Sequence, residues 1–360
     1  MRTRHHLSQS LAHADRLLDF LDASSLLSSY FYAISRLEEG YHHASSAMLF
    51  AVACGLHCLA PPTWAPAEHQ SLLPCVRDQS DLERRVRIWW RVFAVDRTAN
   101  TLGNCPILVP DDKIKTPWVV PPHALVTNRA FTEAELSTVQ SLYRAQSDAP
   151  RVLDDNVEVL RLKGIVLLER ASSLGRLAPT TPRADTVFWH TFVSTDEALN
   201  QFIACLPPLY DKRGTETLVP DAVRAFEGMN PFLVVIHTFA FTARLRLHSR
   251  LAQADSITSY DHSIEAIQGA MSVVDKISSL DVGEHLSALA SVCWQSIFVF
   301  LAAEYKTIQN TRQHETRAAE TRAALKSIFS VIHKMAKYFP VLCEFLEPLW
   351  KLRRVRSLNA

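Results

Sequence analysis

The sequence predicts an all-α protein. Apolar residues recur at helical spacing through most of the chain, and the alternating pattern of half-buried strands is nearly absent. Only 9 of the 360 residues are glycine, well below the roughly 7% of average proteins, although tight hairpins and phosphate loops depend on glycine's backbone freedom. With 48% hydrophobic and 21% charged residues the chain has ample material for a core and is far from a disordered composition.

In chain order, the periodicity predicts helices over 7–22, 40–60, 82–102, 152–174, 185–206, 231–254, 257–279, 284–306 and 317–338. Pro231 after Asn230 suits a first helical turn, and Pro207-Pro208 cannot continue the helix before them. Between 103 and 132 the stretch "GNCPILVPDDKIKTPWVVPPHALVTNRAF" carries five prolines and little periodicity. Its apolar residues, Ile107, Leu108, Val109, Ile114, Trp118, Val119 and Val120, read as a packed strap. The expected organisation is an N-terminal helical lobe (1–102), the proline-rich strap (103–131), a C-terminal helical lobe (132–350) and a basic tail (351–360), with 1–350 as one structural domain. Neither a repeat nor a sustained heptad is present.

Net charge is +1, from 38 basic and 37 acidic residues, so any attraction to nucleic acid or membrane has to be local. The segment "RRVRIWWRVFAVDR", residues 84–97, poses that question most sharply. On a helix Arg84, Arg87 and Arg91 form a narrow stripe, while Val86, Ile88, Trp89, Trp90, Val92, Phe93 and Val95 cover nearly all the rest. A groove-reading helix needs a broad polar face, so this is a core helix, and Asp96 and Arg97, directly after the apolar run, need an ionic or capping partner. The uncharged run from Leu286 to Ala303 is long enough to raise a membrane span. Ser287, Ser291, Gln295 and Ser296 inside it favour a buried helix of a bundle, and the run from Ala44 is read likewise. Charge returns at Asp15 and Arg16 before any leader-length apolar run, which predicts an intracellular chain.

Candidate chemistry is sparse. The seven cysteines, Cys54, Cys58, Cys75, Cys105, Cys205, Cys293 and Cys343, are odd in number and widely spread, and are expected to be reduced core thiols. Glu38, Glu39, His42 and His43 include pairs at metal-binding helical spacing, but an exposed polar face accounts for them. Cys54, His57 and Cys58 share a helix face inside an apolar run and are read as core. Asp154 and Asp155 lack a DDxxD continuation and read as an acidic first helical turn. Neither G-x-S-x-G, P-loop, H-E-x-x-H nor Rossmann fingerprint occurs, which makes an enzyme the minority reading. Lys351, Arg353, Arg354 and Arg356 offer either a nuclear-import signal or a solvated basic helix end.

The order "ERRVRIWWRVFAVDRTANTLGNCPILVPDDKIKTP" resembles the middle homology region of fungal zinc-cluster transcription regulators. It runs from a charged start through Trp-Trp and an apolar helix ending in Asp-Arg to a Gly-Pro turn and an acidic "PDDKI". "FYAISRLEEGYHHASSAMLFAVACGLH", "NPFLVVIHTFAFTARLRLH" and "AIQGAMSVVDKI" are similar to the same family, extending the resemblance over residues 25–300.

The resemblance implies a large multi-helix regulatory domain of the fungal-specific transcription factor type. Arg84, Arg85, Trp89, Trp90, Asp96, Arg97, Gly103, Pro106, Pro110, Asp111 and Asp112 would be its structural motif residues. It further implies a nuclear protein controlling transcription through a small-molecule effector, other transcription proteins or a homodimer partner, without catalysis. The family reads DNA through a separate zinc cluster with cysteines in C-x2-C-x6-C spacing. C-x2-C occurs nowhere here, so no cofactor and no specific DNA binding are expected of this chain alone. The turn Gly103-Asn104-Cys105-Pro106 also departs from the family's single residue between glycine and proline. A stand-alone or truncated interaction or dimerisation module is the alternative, and a helical enzyme the third reading. If an effector binds, an apolar pocket between helices of the C-terminal lobe is expected, lined by Phe232, Ile236, Phe239, Trp294 and Phe298.

Overall fold

The computed structural model describes residues 16–64, 71–125, 131–132, 135–144, 155–178, 186–217, 220–254, 256–311 and 315–342. Among them every regular element is helical. The chain divides into two compact units, Met1–Tyr32 with Arg36–Arg151 and Ala33–Ser35 with Val152–Ala360, so the strap and the residues after it belong with the first unit.

The first unit holds α1 (Leu17–Ala33), α2 (Leu37–Ala53) and α3 (Gln79–Gly103). Helix α1 runs on past Asp22, where the periodicity had it end, because its serines find acceptors within reach. Ser25 Oγ donates to the Leu21 carbonyl at 2.8 Å, Ser29 Oγ to that of Ser25 at 3.1 Å, and Ser28 Oγ to Gly40 of α2 at 2.8 Å. Helix α2 stops at Ala53, short of the expected 60, because Gly55 takes a left-handed conformation at φ 69° and a 3-10 turn, Leu56–Cys58, follows. Cys54, His57 and Cys58 therefore do not share one helix face. Helix α3 starts on Asp78, which accepts from the Asp81 amide at 2.8 Å, and ends with Asn104 left-handed at φ 55°. Beyond it the strap is stitched to the 3-10 turn: the Lys115 and Thr116 amides donate to His57 O, and Thr116 Oγ1 to Leu56 O at 2.6 Å.

The second unit holds α4 (Val157–Leu177), α5 (Thr186–Ala204), the short α6 (Pro220–Ala225), α7 (Pro231–Gln253), α8 (Ile257–Ile277), α9 (Ala288–Thr311) and α10 (Glu315–Met335). Helix α7 is the axis: α4, α5, α8 and α9 all pack on it, and α10 lies on α8 and α9. Its start matches the sequence expectation, with Pro231 in the first turn and Asn230 Oδ1 accepting from the Phe232 amide at 3.0 Å. Helix α4 begins later than expected. Asn156 caps it through the Val159 amide, so Asp155 precedes the helix, and its carboxylate accepts from the enclosed Lys163 ammonium at 2.6 Å instead of lining a first turn. By length and composition Ala288–Gln309 suffices to cross a membrane. One face of it, with Cys293, Trp294, Ile297 and Leu301, is buried.

Candidate functional site

Several of the expected motif residues of the first unit form a mechanical clamp. Trp90 donates its Nε1 proton to Pro117 O at 2.8 Å and stacks on Trp118 with ring centroids 4.3 Å apart. About two helical turns further on, fully buried Arg97 donates to Asp96 Oδ2 at 3.2 Å, Val109 O at 2.7 Å and Asp111 Oδ1 at 2.8 Å, with its guanidinium 4.4 Å over the Phe93 ring. Helix α3 thus grips the strap at two points. Arg85 is also buried, donating to Pro74 O and to Asp81, each at 2.9 Å. Gly103, Pro106 and Pro110 are exposed, and Asp112 forms an exposed pair with Lys113 at 3.6 Å while its carbonyl accepts from Gln140 Nε2 at 2.9 Å.

The basic stripe is matched by acids: Arg84 pairs with Asp19 of α1 at 2.5 Å and Arg91 with Asp22, leaving Arg87 exposed. Of the expected pocket residues, Ile236, Phe239 and Trp294 are buried, and Phe232 and Phe298 half-buried. His43 stacks on Phe31, and Glu39 pairs with Arg36. The cysteines are more varied than the core-thiol expectation: Cys54 and Cys293 are buried, Cys58, Cys105 and Cys205 half-buried, and Cys75 is exposed. Cys343, Asp154, Lys351, Arg353, Arg354 and Arg356 lie outside the described residues.

A polar cluster that sequence reasoning missed lies in the second unit. Asp196 of α5, His248 of α7 and His262 of α8 bring one potential ligand atom each within 4.8 Å of one another. His248 is buried and held at both ring nitrogens: Nε2 meets Asp196 Oδ1 at 2.9 Å, and Nδ1 meets Ser259 Oγ at 3.2 Å. Phe192, one turn before Asp196, packs edge-on against that imidazole at 5.2 Å. The His262 ring lies 4.7 Å from it, and His262 Nδ1 faces Arg244 Nη2 at 2.5 Å, while Arg244 also pairs with Glu265 at 2.7 Å.

Carboxylate and imidazole are a zinc-type donor set, but here the His262 Nδ1 lone pair already accepts from a guanidinium, which also sets a positive charge beside any cation. Ser259, His248 and Asp196 follow the order of a nucleophile, base and orienting acid, with Ser259 buried at 6% exposure. What the geometry does is tie α5, α7 and α8 together through one buried network.

Burial opposes the charge on Asp196. The His248 hydrogen bond, helped by the charges of His248, His262 and Arg244, outweighs burial and holds the carboxyl below the usual range. A carboxyl depressed in the folded state contributes stability that is complete above its unfolded pKa, about 4, and is lost as pH falls through the folded value. Wild type is therefore more stable than Asp196→Asn at pH 6, and the gap narrows toward pH 3. Urea midpoints across that range test this; a pH-independent gap would reject it.

No family model, curated protein or solved structure matches this chain.

Proposed function

We propose that the chain is a helical regulatory module of the kind found in fungal zinc-cluster transcription regulators. It works in the nucleus through effector or partner contacts, without catalysis and without reading DNA itself. The observation that supports this best is the clamp. The residues through which the resemblance runs, Trp90, Asp96, Arg97 and Asp111, touch the strap or one another. Their order is then a fold signature and not a scatter of chemical groups. Pairing of Arg84 and Arg91 with Asp19 and Asp22 supports the non-DNA part, because phosphate binding needs unneutralised cations.

Fusing the full chain to a heterologous DNA-binding module tests the proposal in a reporter strain. Output several-fold above or below that of the DNA-binding module alone is expected, and equal output would overturn it. The interaction-module alternative draws on Leu26 and Tyr30, four apart on α1 and 59% and 57% exposed. It predicts unchanged reporter output together with a dimeric purified chain.

A further inference from the structure

Several enclosed cations among the described residues are paired with carboxylates. Arg97 has Asp96 and Asp111, Arg85 has Asp81, Lys163 has Asp155, and Arg244 has Glu265. These positive charges meet carboxylates, as the desolvation of a cation favours, while half-buried Lys334 is held by the Ser278 and Leu280 carbonyls at 2.6 and 2.9 Å. Arg246 of α7 is largely enclosed and meets no carboxylate among the described residues. Its Nε and Nη2 donate to Ser296 Oγ of α9 at 3.1 and 2.8 Å, and its Nη1 to Ser172 Oγ of α4 at 3.0 Å.

The surroundings are built to hold it there. A Cβ on Gly175 would lie 2.0 Å from Arg246 O, so only glycine lets α4 lie backbone against α7, and Ser172 sits one turn earlier on the same face. Both hydroxyls spend their own protons on their helices, Ser172 on Leu168 O at 2.6 Å and Ser296 on Val292 O at 3.3 Å, leaving lone pairs for the guanidinium. Burial pushes the Arg246 pKa down. The acidic group acting on it is the Cys293 thiol, itself pushed up by burial to about 11 and neutral at physiological pH. The cradle therefore orients the cation without neutralising it.

Five N–H groups belong to a guanidinium, and those bonds leave one N–H on each terminal nitrogen of Arg246 without a partner among the described residues. Paired terminal N–H groups are the fork that takes a carboxylate bidentately. We propose that Arg246, framed by Ser172 and Ser296, is the recognition point for a small monocarboxylate ligand bound at the junction of α4, α7 and α9. One guanidinium balances one negative charge; Arg176, another cation acting on Arg246, is itself opposed by Glu169, so a phosphate dianion would bring a second charge with less to compensate it. This deepens the effector part of the proposed function and rests on that reading only for what binding would control.

Purified full chain is melted with hexanoate, hexanamide or inorganic phosphate at matched ionic strength. Hexanoate is expected to raise the melting temperature by a few degrees at saturation, hexanamide to leave it unchanged, and phosphate to act more weakly than hexanoate. Arg246→Met, which keeps the stem and removes the charge, is expected to melt close to the empty wild type and to lose the hexanoate shift. Arg246→Lys keeps the charge without the fork and is expected to bind hexanoate at least tenfold more weakly; it decides the matter if Arg246→Met does not fold. Equal shifts with hexanoate and hexanamide, phosphate matching hexanoate, no shift at all, or a shift surviving in both variants would overturn the proposal. Binding is read on pure protein and regulation in cells, so the two readings fail separately.

Discussion

Trp89→Asp is expected to bring the first unit close to unfolding. Trp89 is fully buried in α3, within 6.2 Å, ring centroid to centroid, of Trp90, Phe93 and His57. Removing a buried Trp side chain costs about 3–5 kcal/mol, and the new carboxylate would add the penalty of an unpaired buried charge. Native domains hold only about 5–15 kcal/mol in total. The indole Nε1 has no hydrogen-bond partner, so Trp89→Phe forfeits area and no hydrogen bond, and should cost much less. Thermal melts of the three proteins check this. An unchanged melting temperature for Trp89→Asp would return the Trp-Trp segment to the surface and reopen it as a binding face.

The same helix shows why so much of the fold was legible. Arg84, Arg87 and Arg91 at helical spacing, with apolar residues elsewhere, fix both the helix and its buried faces, and exposure falls as that pattern requires. Local end chemistry was legible too, since Asn230 and Pro231 start α7 where expected. Ends that depend on tertiary partners were not. Ser28 of α1 is satisfied by Gly40 of another helix, and Asp155 is drawn to Lys163 and away from a helix start. The polar clusters were invisible as motifs because Asp196, His248 and His262 come from three helices, and Ser172, Arg246 and Ser296 from another combination of three. One signal was available. Helix α7 is rich in apolar residues, yet "FTARLRLHSRL" sets Arg244, Arg246 and His248 in alternation with them. A helix wrapped on most sides has to find partners for such groups, and both clusters are built around them.

Arg97→Met is the second large effect. The substitution keeps the stem volume and removes the charge, which leaves the buried Asp96 carboxylate without the guanidinium at 3.2 Å and frees Val109 O and Asp111 from the donor they share. Breaking one side of a buried ion pair costs about 3–5 kcal/mol, mostly through the charge left behind, whereas removing both charges can be nearly neutral. Asp96→Asn combined with Arg97→Met should therefore recover part of the loss in urea midpoint, a coupling that a double-mutant cycle measures. Strap release is a separate consequence, because the double variant restores the charge balance of α3 but not the donor to Val109 O and Asp111. Trypsin should cut after exposed Lys113 faster in Arg97→Met and in the double variant alike than in wild type. Additive effects of the two substitutions on stability would show that Asp96 and Arg97 do not act as a pair. Unchanged cleavage at Lys113 would show that Trp90 and the Thr116 contacts hold the strap without Arg97.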